Sequence, residues 1–129
     1  MSRSLIVSIA VGIAVALGGS AQAATTEQPV ARAAATSSQS RALQTARDYL
    51  DYQGFSKKGL IRQLKFEGYS TGDASWAASH VGANWNAQAV RVAKAYLDYQ
   101  SFSRSGLVAQ LKFEGFTQSQ AEYGVRKAY

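Results

Sequence analysis

The stretch FSKKGLIRQLKFEGYS, residues 55–70, returns 47 positions later as FSRSGLVAQLKFEGFT, residues 102–117. Each copy reads as a short helix with both ends written into it. Ser56 and Ser103 suit the N-cap position, where a hydroxyl accepts from backbone N–H groups of the first turn. Phe55 before Ser56 can fold onto Leu60 as a hydrophobic staple, and Phe102 with Leu107 repeats the device. Gly68 and Gly115 can take the left-handed conformation that ends a helix, with Tyr69 and Phe116 folding back on Leu64 and Leu111. Ser70 and Thr117 then cap a following helix, so helix, tight turn, helix is specified twice.

The duplication reaches beyond these stretches. Residues 44–81 align without a gap on residues 91–128, with 17 of 38 positions identical. A period of this length is the mark of a repeated supersecondary unit. Before the organising stretch, Leu43, Ala46, Tyr49, Leu50 and Gln53 fall at helical spacing on one face, as do Val90, Ala93, Tyr96 and Leu97. They predict helices over about Ser40–Tyr52 and Asn86–Tyr99, the second with Asn86 as N-cap. The next helix offers Leu60, Ile61 and Leu64 as its buried stripe, with Gln63 turned aside. In the third helix Ser70 with Asp73 and Thr117 with Gln120 form capping-box patterns. Ala74, Ala77, Ala78 and Val81 make a narrow small-residue face, echoed by Ala121, Gly124, Val125 and Ala128. The expectation is an all-α fold, a tandem pair of three-helix modules with a helix-turn-helix in each, over residues 39–82 and 83–129. Units this small have little core of their own, so the two should share an interface, with Trp85 as the large aromatic that crosses it.

Upstream the composition changes. Arg3, an apolar run from Leu5 to Leu17, and small residues at Ala21-Gln22-Ala23 form a secretory signal peptide over residues 1–23, with cleavage between Ala23 and Ala24. The run is shorter than the ~20 residues an untilted spanning helix needs. Residues 24–38 hold the only proline and no large apolar stripe, and read as a flexible leader. The chain carries 14 basic and 8 acidic residues, and loss of Arg3 with the signal leaves 13 against 8, a net of +5. With no cysteine among 129 residues, disulfides, thiolate metal sites and a cysteine nucleophile are excluded.

The catalytic inventory is thin. His80 is the only histidine, and Lys127 takes its place in the second unit, which marks a solvated surface position. Asp51, Glu67, Asp98 and Glu114 recur between units, but each lies near a helix end, where a surface or capping role accounts for it. Neither a phosphate-binding glycine loop nor a serine-nucleophile motif is present. The chain therefore reads as no enzyme, with no metal and no cofactor. The helix-turn-helix raises nucleic-acid binding. However, the third helices open with Thr71, Gly72 and Asp73 or with Gln118, Ser119 and Gln120, without a cation to meet phosphate, and the export signal argues the same way. Among the aromatic residues, Tyr52 and Tyr99 are the best placed to serve a surface instead of the core. Lys57, Lys58, Arg62 and Lys65 surround the organising helix as a patch able to face acidic wall polymers or anionic lipid.

The motif Ala46, Tyr49-Leu50, Phe55-Ser56, Gly59-Leu60, Gln63-Leu64, Glu67-Gly68-Tyr69 and Ala74 recurs as Ala93, Tyr96-Leu97, Phe102-Ser103, Gly106-Leu107, Gln110-Leu111, Glu114-Gly115-Phe116 and Ala121. It resembles the repeat of the Ltp family of host-cell-surface-exposed lipoproteins. The resemblance implies tandem helix-turn-helix modules outside the membrane and, as in prophage-borne members, superinfection exclusion: a block on DNA injection by a second phage through its tape-measure protein. The chain departs from the lipoprotein pattern at the cleavage point, where Ala23 and Ala24 stand in place of a lipobox cysteine. The expected function is an exported, non-enzymatic binding module at the cell envelope, monomeric, that meets a protein partner and binds no nucleic acid. The alternative is a wall- or membrane-associated structural protein that binds acidic polymer or lipid weakly. Gln63, Lys65, Gln110 and Lys112 are the expected contact residues, together with Tyr52 and Tyr99, because these duplicated positions lie on or beside the helix that the caps hold rigid.

Overall fold

A computed structural model describes residues 35–129. The export segment, the cleavage point at Ala23 and Ala24 and most of the expected leader lie outside the described residues. Six helices follow one another: α1 (Ser37–Tyr52), α2 (Lys57–Phe66), α3 (Thr71–His80), α4 (Trp85–Tyr99), α5 (Arg104–Glu114) and α6 (Gln118–Ala128). No strand occurs among the described residues, so the fold is all-α as the periodicity indicated.

The helix ends form for local reasons. Ser56 and Ser103 accept from the N–H groups of Gly59 and Gly106 at 2.8 and 2.9 Å. At the other end of α2, Tyr69 N–H reaches the Leu64 carbonyl and Gly68 N–H the Lys65 carbonyl, with Gly68 at φ 108°. This is the double bond of the Schellman turn, and Phe116 and Gly115 repeat it at the end of α5. Thr117 and Gln120 form a reciprocal capping box, whereas at α3 only the Ser70 half is made.

Two starts differ from the sequence reading. α1 begins at Ser37, ahead of Ser40, because Thr36 accepts from Gln39 N–H while the Gln39 side chain accepts from Thr36 N–H, each at 3.0 Å. α4 is capped by Asn84, whose side chain accepts from Ala87 N–H at 3.0 Å; Asn86, the expected cap, lies exposed inside the first turn. The earlier start sets Trp85 in that turn, and its side chain packs on the core of the first three helices.

Each triplet closes on its own core. Tyr49, Leu60 and Leu64 are fully buried in the first with Ala42, Ala46, Ala74, Ala77 and Ala78. Tyr96, Leu107, Leu111, Phe116 and Val125 fill the second with Ala89, Val92, Ala93 and Ala121. The alanines let α3 lie close on α1 and α6 close on α4, so the small-residue faces do what their spacing suggested.

The triplets meet along a seam that the repeat does not propagate. Ser56 is 2% exposed, and its Oγ donates to the Glu114 carbonyl at 2.7 Å while capping α2. Arg91 donates to the Leu50 carbonyl at 2.7 Å, and Gln88 accepts from Phe55 N–H at 3.2 Å. Gly54 fits here because a Cβ would stand 3.0 Å from both Arg91 and Val92; the second unit has Ser101 at this position, facing solvent. Ser56→Ala should therefore cost about 2 kcal/mol, a cap plus a hydrogen bond across the seam, and Ser103→Ala about 1 kcal/mol, a cap alone. Urea midpoints of the two variants check this; equal losses would contradict it.

Candidate functional site

The repeated polar residues converge first on a pair of buried tyrosines. From α1, Tyr49 donates its hydroxyl to the Glu67 carboxylate, and Gln63 Nε2 approaches the same hydroxyl at 3.5 Å. In the second unit Tyr96 donates to Glu114, with Gln110 donating to Tyr96 at 3.2 Å. Phe55 and Phe102 meet the tyrosine rings edge-on, with centroids 5.7 Å apart in both units. Burial raises the Glu67 carboxyl above its ordinary 4.5, and the donated hydroxyl draws it back in part. The Tyr49 hydroxyl is itself pushed well above its ordinary value, first by burial and then by the carboxylate it bonds. The arrangement pins the end of the organising helix to the first helix.

This corrects two sequence readings. Gln63 does not turn aside from the buried stripe; it is 9% exposed and spends its amide on Tyr49. Glu67 and Glu114 hold the tyrosines, which surface or capping duty does not describe. The signal was present, since Tyr49, Gln63 and Glu67 are all identical in the second unit and Gln63 and Glu67 stand four residues apart on one helix face. The other expected contact residues lie outward: Lys65 and Lys112 are exposed, and Tyr52 and Tyr99 are about half exposed, at 51% and 53%. His80 is exposed, with its ring stacked on Trp76 at 4.0 Å. Among the described residues no three His, Asp or Glu side chains gather as metal ligands.

A concave feature lies at the seam. Between α2 and the second triplet runs an open groove of about 350 Å³, walled by Phe55, Phe66, Val92, Ala95 and Phe116, with Gln53, Gln63, Arg62 and Glu114 supplying its polar atoms. A mainly apolar lining with a few polar groups is what a binding site for a small ligand or one protruding side chain presents. Phe66 stands at its edge 67% exposed. Lys58, Arg62 and Lys65 follow one another at i, i+4 and i+7 along α2, all exposed. Arg62 reaches a backbone oxygen, that of Glu114, at 3.4 Å. In the second unit Ser105 and Ala109 replace Lys58 and Arg62, so the cationic stripe belongs to the first unit alone.

Comparison with known proteins agrees with the fold and its duplication. The sequence profile of host cell surface-exposed lipoproteins matches residues 37–81 and 84–127. Among solved structures, Ltp, a superinfection exclusion protein from the Streptococcus thermophilus temperate phage TP-J34, is similar at 33% identity with a TM-score of 0.68, covering 72% of this chain and 97% of that one. No curated protein sequence matches.

Proposed function

We propose that this chain, which belongs to the family of host cell surface-exposed lipoproteins, is a superinfection exclusion factor of the cell envelope. The observation that carries the reading is that both of its repeats match the family and together cover almost the whole of a superinfection exclusion protein, with the same fold. The chain acts by contact and without catalysis: it grips a protein of the incoming phage, the tape-measure protein, and holds the DNA outside. Lys65, Lys112, Tyr52 and Tyr99 are the outward-facing duplicated residues proposed to make that contact, on surfaces kept rigid from behind by Gln63 and Gln110. The chain carries no cysteine for a thioether-linked lipid, and its positive charge supplies a weak, salt-sensitive attraction to anionic envelope polymers in its place.

Cells that export the protein should be plated against a panel of phages beside cells that do not. The expected result is a loss of plaques for at least one phage without loss of adsorption. Unchanged plating across the panel would overturn the reading.

A second reading, a structural protein bound to acidic wall polymer or lipid, is favoured by the stripe of Lys58, Arg62 and Lys65. It predicts sedimentation with purified wall at low salt and release at high salt. Charge reversal of Lys57, Lys58 and Lys65 should abolish that binding, and retention by the triple variant would dismiss it.

A further inference from the structure

We infer that the seam groove is the docking point for one large apolar side chain, aromatic or branched, carried on an acidic segment of a partner protein. This deepens the proposed function and rests on its premise that the chain works by protein contact.

Three features of the groove specify that occupant. Its walls are apolar, with Phe55, Val92, Ala95 and Phe116 around about 350 Å³, room for one large side chain but not for a folded element. Its rim is cationic: Arg62 lines it, with Lys58 and Lys65 one turn away on either side along α2, and among the described residues none of the three meets a carboxylate. The carboxylate among the groove's lining residues, that of Glu114, is already held by Tyr96. A flanking acid on the partner would therefore meet unneutralised charge beside a low-dielectric wall, where a charge pair is worth more than on open surface. Finally, Gln53 lines the groove with a side-chain amide that bonds nothing among the described residues, offering a donor and an acceptor to a peptide backbone. An anionic lipid could also use the walls and the charge, and the vesicle arm of the test below separates it from a peptide.

The duplication sharpens the argument. Among the described residues the face of α5 that corresponds to the groove-lining face of α2 is left open, and Phe113, the counterpart of Phe66, is 77% exposed. Arg62 is replaced there by Ala109. The pairing of cation and apolar wall is thus not repeated among the described residues, since Lys58 and Arg62 have Ser105 and Ala109 in their places in the second unit.

The test titrates the purified full chain with a fluorescein-labelled peptide bearing one central phenylalanine among aspartates and glutamates. The same peptide with alanine for phenylalanine, one with lysines for the acids, and phosphatidylglycerol vesicles are run in parallel. The acidic phenylalanine peptide should bind in a salt-sensitive way, and both control peptides should bind at least roughly tenfold more weakly. Arg62→Glu, an exposed change, should weaken binding to a similar degree, and Ala95→Trp, which fills the groove, should abolish it; circular dichroism melts report whether each variant folds. If Ala95→Trp fails to fold, Arg62→Glu still decides. The inference is overturned if the acidic phenylalanine peptide does not bind, if Arg62→Glu leaves its affinity unchanged, if the lysine peptide binds equally, or if only vesicles bind. Phage plating is a separate readout: normal plating with peptide binding intact would sink superinfection exclusion while the groove assignment survived, and loss of plaques with no peptide binding would do the reverse.

Discussion

Gly124→Ala should lower the stability of the chain by about 2 kcal/mol, although the same change in an exposed helix raises it by up to ~1 kcal/mol. Gly124 lies inside α6, where a Cβ would stand 2.7 Å from both the carbonyl carbon and oxygen of Ala89 and 2.8 Å from its Cβ. Two of those three atoms belong to the backbone of α4, so no side-chain rotation can relieve the clash and the two helices must move apart. Overpacking of this kind costs ~1–3 kcal/mol, and a backbone obstruction belongs at the upper end, which leaves a net loss after the helix gain. In a domain of this size that loss corresponds to a fall in melting temperature of roughly 10 °C. Ala77 is the counterpart in the first triplet, fully buried and carrying the methyl group that Gly124 lacks, so α6 sits closer to α4 than the first unit requires. A melting temperature unchanged or raised in Gly124→Ala would show that the close approach is not a constraint.

Tyr49→Phe should destabilise the chain by ~1–3 kcal/mol near neutral pH, because it leaves Glu67 without its donor and Gln63 without its partner. The loss should be smaller near pH ~4, and the direction follows from the carboxyl. Burial holds Glu67 above its ordinary 4.5 in the folded chain. Its contribution is therefore fully present below the ordinary value and is lost as pH rises through the higher folded value. The Tyr49 hydroxyl opposes that rise, so removing it raises the carboxyl further and widens the penalty between acid and neutral conditions. Urea unfolding of the parent and of Tyr49→Phe at both pH values checks this. A penalty independent of pH, or largest in acid, would contradict it. With Glu67→Gln in the background, the pH dependence of the Tyr49→Phe effect should disappear.

What was legible in the sequence is what depends on near neighbours. Ser56, Gly68, Ser103 and Gly115 act through bonds to residues within a turn or so, and their positions alone foretold where α2 and α5 begin or end. The alanine faces of α3 and α6 were legible for a similar reason, since helical spacing lays them in line. Gln63 and Glu67 were misjudged because their partner, Tyr49, lies 14 and 18 positions away on another helix. A glutamine and a glutamate read by local pattern default to solvent. Asn84 caps α4 where Asn86 was expected, and what separates two residues of the same type is the packing of Trp85 on a core built by the preceding three helices. The groove was least legible of all. It is made where the repeats differ, at Gly54 against Ser101 and Arg62 against Ala109, and by contacts such as Ser56 with Glu114, 58 positions apart. An alignment of the two units draws attention to identities, and these differences are what set one copy against the other.

The first prediction measures how closely α6 must approach α4, and the second measures what pins the organising helix in place. Neither touches the exposed cations of α2, so phage resistance should survive both substitutions at temperatures where the variants stay folded. The most direct measurement of the central claim follows labelled phage DNA into cells that export the protein. Adsorption should match that of control cells while the label stays outside. Entry of the label at the control rate, or a fall in adsorption itself, would contradict the account.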